Sequence, residues 1–588
     1  MNRLLDCKQS KPLSKADSDG ELAERFASFF STKIDRIRAG IHPTMDINEH
    51  TSPTASSGMP QFTSFTTASS NDVAKLIRSS PSKHCKLDAL PTWLIKEHTQ
   101  EFAPLIASII NTSLTTGEVP AMFKEAVVTP SLKKSSCSIE ELSNYRPVSN
   151  IHFCGKLLER VVATQLHQYL NDNGLMEPMQ SAYRQYHSTE TALVRVYNVL
   201  TLGLDNKKVA LLVLLDLSAA FDTIDHDLLI KRCKKLFGIS GIPLAWLRSY
   251  MNGRSQKVII GQSSSSARAL MCGVPQGSVL GPLLFIMYTT PLGQLLRNEN
   301  MDYHMYADDT QLFAISTVDE IANTKAHMEQ TIDKVKNWMS SNLLKLNAGK
   351  TELITISHRN QIKDLHDTVL NVSGERIQPS QHARNIGVTM DSTLSMIPHI
   401  SNTTRNLNFH LRNIGRIRPY LTQATTEMFI HSLVSSRLDF CNALLASQPS
   451  CRLRGLQLAQ NTAARIVCQT PRRQHITPVL YSLHWLPVEA RIKYKLCLLT
   501  FKCLTQQAPQ YLMSLVEPYS SGRDLRSDNA RLLTVRRTNY AIGSRCFSVA
   551  GPQAWNSLPV DLRMCNSLLE FKRKLKTHLF QCTYSHLL

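Results

Sequence analysis

The chain has 588 residues, with 66 Lys+Arg against 46 Asp+Glu, a formal net charge of +20 and a pI near 9.4. Apolar residues at 43% and charged residues at 19% exclude a disordered tail protein, and the length allows a large core without disulfides or structural metals. The positive balance favours a polyanionic partner and is uneven: residues 451–588 hold 20 Lys+Arg and 6 Asp+Glu, a net of +14, whereas residues 1–450 hold 46 and 40.

The first residues, MNRLLDCKQSKPLSK, lack the apolar core of a secretory signal. The longest apolar runs fall well short of the roughly 20 residues that a membrane span needs. Fourteen cysteines run from Cys7 to Cys582 without CxxC spacing or a zinc pattern. They read as reduced thiols of an intracellular, non-secreted protein.

In chain order, residues 21–40 predict an amphipathic helix, with Leu22, Phe26, Phe29, Phe30, Ile34 and Ile37 on one stripe and Gly40 as its stop. With its flanks it makes an N-terminal segment, 1–42. Residues 43–75, rich in Ser, Thr and Pro, read as a flexible linker. Helical periodicity then runs through DVAKLIRSS and WLIKEHTQEFAPLIASIINTSL, a strand is expected at Glu125–Thr129, and a helix at 156–172. Residues 209–216, VALLVLLD, predict a central strand buried on both faces and ending in a carboxylate. Residues 302–315, DYHMYADDTQLFAI, predict a strand, a tight acidic turn and a second strand. Residues 318–344 are helical in period, and after about 395 strand signals fade into helices over 399–435 and 488–504. The class is α+β, with helices packed on a sheet.

The chemistry points to Asp216, at the end of the buried strand, and to Asp308 and Asp309, in the hairpin turn. Two hard divalent cations about 3.5–4 Å apart need such oxygen ligands to clamp the attacking and leaving oxygens of a phosphoryl transfer. Alone, each would be an ordinary cap or turn residue. Gly349-Lys350-Thr351 looks like the end of a phosphate-binding loop, but that pattern requires glycine where the chain has Leu344.

The two acidic sites belong to an ordered series of blocks: LKKSSCSIEELSNYRPVSN (132–150), QSAYRQYHSTETAL (180–193), LLDLSAAFDTIDHDLL (214–229), GVPQGSVLGPLLF (273–285), MYADDTQLF (305–313), LKLNAGKTEL (344–353) and RNIGVTMDSTL (384–394). The series resembles the reverse transcriptase of non-LTR, LINE-type retrotransposons, closest in style to jockey-like mobile elements, over roughly residues 76–400. LHWLPVEARIKYKLCLLTFKCL (483–504) and GPQAWNSLPVDLR (551–563) also resemble segments of those elements.

The resemblance implies a right-hand polymerase: fingers and palm over 76–394, a helical thumb-like region over 395–470, and a basic α-rich C-terminal domain over 471–588. It makes Asp216, Asp308 and Asp309, with the Leu217 carbonyl, the ligands of two Mg²⁺ ions, Mn²⁺ being the alternative. Phe221 falls at the steric-gate position, where a bulky ring excludes a ribose 2′-OH. Gln276 and Gly277 match the block that lines the incoming base pair, and Tyr306 opens the YADD tetrad beside the nucleotide. Lys133, or its neighbour Lys134, and Arg146 match the triphosphate grip. Lys350 matches a lysine able to protonate the pyrophosphate leaving group.

The implied partners are template RNA, a DNA primer and dNTPs, with no membrane and no small organic cofactor. The expected location is the nucleus, a cytoplasmic ribonucleoprotein, or both. The segment ahead of the resemblance reads as too short for the endonuclease that usually accompanies this polymerase. The C-terminal carboxylates, Glu489, Glu517, Asp524, Asp528, Asp561 and Glu570, are too scattered for an RNase H site. The C-terminal region instead interleaves cations with rings. Arg472, Arg473, Trp485, Arg491, Lys493, Tyr494 and Lys495 form one group, and Arg536, Arg537, Tyr540, Arg545, Phe547 and Trp555 another. Lys572, Arg573, Lys574 and Lys576 close the chain. We read the cations as an RNA-binding surface and the Trp and Phe rings as core. The rival readings are a catalytically inactive RNA-binding relic and an RNA-templated RNA polymerase, the latter opposed by Phe221.

Overall fold

The structure, a computed structural model, describes residues 13, 18–41, 58–83, 85–134, 136–358, 360–361, 369–372, 374–520 and 531–585. The elements that position the site are, in order, α1 (Asp19–Ala39), α2 (Ser70–Ser79), α3 (Thr92–Glu97), α4 (Thr99–Thr116), β1 (Glu125–Leu132), β2 (Tyr145–Asn150), α5 (Phe153–Asp172), α6 (Thr189–Asp205) and β3 (Val209–Leu215). They continue with α7 (His226–Phe237), α8 (Gly241–Met251), β4 (Ser255–Ile260), β5 (Ser263–Ser264), β6 (Arg268–Ala269), α9 (Gly281–Asn298), β7 (Asp302–Tyr306), β8 (Asp309–Ser316), α10 (Ile321–Ser341) and β9 (Glu352–Ile356). Among the described residues beyond 396 the regular elements are helices, with one isolated bridge between Pro518 and Leu533.

Two sheets organise the first two thirds. One has the order β2-β1-β4-β5, with β6 also paired to β4. The other is antiparallel, in the order β7-β8-β3-β9. Strand β3 sits inside it, pairing Leu215 with Thr310 on one side and Leu214 with Glu352 on the other. Successive side chains of a strand point to opposite faces, and β3 uses this alternation to join two cores. Leu211, Val213 and Leu215 pack with helices α5 and α7 to α10. Ala210 and Leu212 pack on the opposite side with α6 and the C-terminal helices. The uninterrupted apolar run VALLVLL is thus explained by burial on both faces.

One core runs from α6 through Leu453, Leu496 and Trp555 to Tyr584. No core boundary falls at the expected 470/471 division, because the helices Ser450–Cys468 and Val488–Leu504 bury apolar faces in that same core. Trp485, Phe547 and Trp555 are buried, and the Phe501 and Phe571 rings stack at 4.3 Å. These rings are core, in line with the sequence reading.

The linker expected over 43–75 is corrected from residue 58 onward; residues 42–57 lie outside the described residues. Phe62 donates to the Gly238 carbonyl and accepts from the Ser240 N–H, both at 3.0 Å. Its ring lies 5.0 Å from Tyr169, and Phe65 meets Trp246 at 6.1 Å. Asn111 brackets both backbone groups of Ala68. Two phenylalanines and paired backbone groups hold a polar segment down despite its composition, and α2 begins inside it, at Ser70.

Helix α1 forms because its apolar residues recur on one face, and Ser18 caps it by accepting the Glu21 N–H at 3.2 Å. Leu22, Ala23, Phe26 and Phe30 pack on Val128, Tyr145, Val258 and Ile260 of the first sheet.

Candidate active site

Strand β3 delivers Asp216 to the end of the second sheet, and the β7–β8 hairpin delivers Asp308 at its tip. The hairpin is closed by the Tyr306–Asp309 pair, with Ala307 in the left-handed region at φ 55°. The segment after α10 is stitched alongside: Asn347 N–H donates to the Asp216 carbonyl at 2.9 Å, and Ser218 N–H to the Lys345 carbonyl at 2.9 Å. The Asp216 carboxylate accepts from Asn347 Nδ2 at 3.2 Å and from Lys350 Nζ at 3.1 Å.

These residues open onto a cavity of about 1030 Å³ between the two sheets. Its wall brings together Asp216, Leu217, Phe221, Gln276, Gly277, Asp308, Lys133, Arg146 and Lys350, which lie far apart in sequence. Lys133 is on the wall and Lys134 is not. Two predicted residues, Tyr306 and Asp309, are off it: they form the cross-strand pair at the base of the hairpin, while the turn projects Asp308 inward.

The carboxylates are electrostatically crowded. Desolvation and the Asp216 charge raise Asp308, against the pull of Arg146 and Lys350. Desolvation, then the charges of Asp308 and Asp216, push Asp309 up to about 6. Like charges held together in this way form a hard-oxygen donor set that a divalent cation would relieve. Among the described residues, no group of three or more Asp, Glu, His or Cys is already gathered as a metal cluster. Lys350 instead holds Asp216.

Phe221 stacks on buried Phe285 of α9 at 4.5 Å, with ring planes 21° apart. This fixes the edge it presents to the cavity. Gln276 is oriented by Asp222, which accepts from its Nε2 at 2.7 Å. Burial pushes Asp222 up to about 6, against the Gln276 hydrogen bond and the Lys33 charge. Gly277, at φ 121°, lies so close to β2 that a Cβ would fall on the Ser149 carbonyl oxygen. Ser149 N–H also donates to the Gln276 carbonyl at 2.8 Å. Buried Glu159 of α5 accepts from Val279 N–H at 2.5 Å and Leu280 N–H at 3.2 Å, anchoring the start of α9 behind this loop.

Several supporting residues were missed by the sequence reading. Gln180 Oε1 accepts the Ala307 N–H at 3.0 Å, and its Nε2 reaches the Ala307 carbonyl at 3.3 Å, so it clamps the acidic turn. The Ser181 hydroxyl lies 2.8 Å from His304 Nε2 on β7 and 2.7 Å from the Tyr511 hydroxyl, linking the hairpin to the C-terminal helices. Tyr183 joins the cavity wall near Asp308. Gln180, Ser181 and Tyr183 lie within the 180–193 block, but spacing alone gives them no role. Asp222 and Asn347 likewise lie within quoted blocks. From α1, Arg25, Lys33 and Arg36 also line the cavity, with no sequence signal connecting them to it.

Residues 132–390 match the family described as reverse transcriptase (RNA-dependent DNA polymerase). The probable RNA-directed DNA polymerase from transposon BS of Drosophila melanogaster is 27% identical over 442 residues, covering 72% of this chain and 47% of that protein. The RNA-directed DNA polymerase from mobile element jockey of the same species is 27% identical over 341 residues, covering 56% of this chain and 36% of that protein. The corresponding protein from transposon X-element is 27% identical over 219 residues, covering 37% of this chain and 24% of that protein. The alignments thus take in less than half the length of each of these relatives. Ordered motif blocks, a sheet that brings Asp216 and Asp308 to one cavity, and these similarities agree: residues 132–390 match the reverse transcriptase family, and the chain is similar to the RNA-directed DNA polymerases of the mobile elements BS, jockey and X-element.

Proposed function

We propose that this chain is an RNA-directed DNA polymerase that joins a dNTP to a primer 3′-OH on an RNA template, releasing pyrophosphate. The observation that carries the reading is the sharing of one cavity wall by Asp216, Asp308, Phe221, Gln276, Lys133 and Arg146. In this reading the β7-β8-β3-β9 sheet is the palm, the sheet built on β1 and β4 belongs to the fingers, and the helix Ile397–Ile417 starts the thumb.

Asp216, Asp308, Asp309 and the Leu217 carbonyl would hold two Mg²⁺ ions. Such ions supply charge neutralisation at the attacking and leaving oxygens. The remaining residues bind and orient. Lys133 and Arg146 grip the triphosphate, with Arg146 offering a planar fork. Gln276 and the side-chain-free Gly277 line the nascent base pair. Phe221, braced by Phe285, fills the space a ribose 2′-OH would need. Lys350 donates its proton to the departing pyrophosphate oxygen once it leaves Asp216.

Template RNA would extend to the basic C-terminal surface, where Arg472, Arg473, Arg537, Arg573 and Lys576 are exposed. No helix of the described residues is long and apolar enough to cross a membrane. We place the protein inside the cell, in the nucleus or a cytoplasmic ribonucleoprotein. The inactive-relic reading is disfavoured by the crowded carboxylates, a costly arrangement for a merely structural role.

The test is primer extension on an RNA template with Mg²⁺, comparing the wild type with Asp308→Ala plus Asp309→Ala. Incorporation of dNTPs by the wild type and its loss in the double variant are expected. A well-folded wild type without incorporation would favour the relic, and equal use of rNTPs would remove the steric gate.

A further inference from the structure

Helix α1 lines one side of the cavity and is held at both ends. Near its start, Glu24 pairs with Arg268 at 2.5 Å and accepts from Ser266. Near its end, Arg38 pairs with Asp225, the N-cap of α7, at 2.7 Å. Its apolar face is spent on the first sheet, where Phe26 meets Tyr145 edge-on at 4.9 Å. Tyr145 directly precedes Arg146. This seating turns a second face, carrying Arg25, Phe29, Lys33 and Arg36, toward the cavity. These positions recur at helical spacing.

Lys33 is the member of that face whose charge acts on both Lys133 and the buried Asp222. It shares the cavity wall with Lys133, Arg146 and Lys350, on elements from three other parts of the chain. Among the described residues it has no carboxylate at ion-pair distance. Its charge is felt by Lys133 on one side and by the buried Asp222–Gln276 pair on the other. The Lys133 ammonium is pushed down by burial first, then by Lys33, Lys350 and Arg146. Four like charges converging on one cavity repel one another, and a multivalent anion placed among them is the compensation that geometry allows.

We propose that Lys33 of α1 is a fourth cation of the nucleotide triphosphate site, so that the N-terminal helix forms one wall of that site. The inference rests on the polymerase reading for the identity of the anion. The triphosphate is favoured over template phosphates because Lys33 shares the cavity wall with Lys133, Arg146 and Lys350, and its charge acts both on Lys133 and on Asp222, the partner of Gln276. A point-charge ammonium suits a mobile polyphosphate tail.

The experiment measures equilibrium binding of dATP to the full chain without primer, and steady-state primer extension, for the wild type, Lys33→Ala, Lys33→Arg and Lys235→Ala. Removing one charge-assisted contact should weaken dATP binding about tenfold. The KM for dNTP should rise by a similar factor while kcat stays within about twofold. Lys33→Arg should restore most of the affinity. Lys235→Ala removes an equal charge from the exposed side of α7, off the cavity wall, and should leave both measurements unchanged.

Unchanged dATP affinity in Lys33→Ala would overturn the inference, as would a loss confined to RNA–primer affinity, which would assign Lys33 to the template. Faster extension by Lys33→Ala would also overturn it, making α1 a barrier rather than a wall. Lys33-dependent dATP binding without incorporation would sink the polymerase reading alone. Incorporation indifferent to Lys33 would sink this inference alone.

Discussion

The cavity wall and the C-terminal helices are both rich in cations, but they use them in opposite ways. In the C-terminal body many cations are partnered: Arg491 with Asp439 at 2.7 Å, Lys495 with Glu190 at 2.8 Å, Arg536 with Glu517 at 2.5 Å and Lys574 with Glu570 at 2.7 Å. Arg418 donates to the Leu421, Ile466 and Val467 carbonyls. At the cavity, Lys33 and Arg146 have no carboxylate partner among the described residues, and Asp308 on its wall and Asp309 beside it are raised by desolvation and by neighbouring carboxylate charge, that of Asp216 on both. Net charge and local function therefore separate. The region with the larger excess spends much of its charge on packing, and the near-neutral region concentrates opposed charges around one space. Crowded titratable groups in a cavity are a stronger sign of chemistry than a basic total.

The sharpest break of this comparison is a pair of substitutions, one from each region. Asp216→Asn should lower dNTP incorporation by about 10³-fold or more if Asp216 holds the metals as proposed above. Its thermal midpoint should stay close to wild type, because Asp216 stands at the cavity and not in the core. Trp555→Ala should do the reverse, destabilising the fold by about 3–5 kcal/mol through an unfilled core site. Denaturant unfolding would measure that loss, and the dNTP-to-rNTP preference of the surviving folded protein should not change. Should Trp555→Ala leave stability intact, the C-terminal body would not be the continuous core described above.

A smaller effect is expected for Phe221→Ala. Competition between dNTP and rNTP should show discrimination falling by about 10²-fold, with dNTP incorporation retained. Undiminished discrimination would move the gate elsewhere on the wall. The smallest effect should come from the double change Arg573→Ala and Lys576→Ala, both exposed. Each lost phosphate contact should lower the magnitude of the salt slope of RNA binding by about one. An unchanged slope would leave these C-terminal cations solvated, without contact to nucleic-acid phosphates.

Much of the fold was legible because its signals are local. The run VALLVLL announced a strand buried on both faces, and DYHMYADDTQLFAI announced a hairpin, since period and turn chemistry involve neighbouring residues only. The segment 58–75 was misread for the same reason. Its Ser, Thr and Pro content describes a linker, whereas Phe62, Phe65 and the Asn111 clamp on Ala68 depend on surfaces far along the chain. The expected division at 470/471 followed a change in charge, and charge distribution does not report which apolar faces share a core.

The sequence by itself determined the strand that ends in Asp216, the acidic hairpin, the ordered blocks and the family they resemble, because each is written in short-range spacing. Only the tertiary structure decided which of those residues meet. It set Asp308 on the wall and Tyr306 off it, chose Lys133 over Lys134, tied Gln276 to Asp222, and clamped the acidic turn with Gln180. It also set α1 along one side of the cavity through Arg38–Asp225 and Glu24–Arg268, bringing Lys33 to residues 100 or more positions away. Such pairings follow from the packing of whole faces, and no local pattern in the chain encodes the neighbour a face will find.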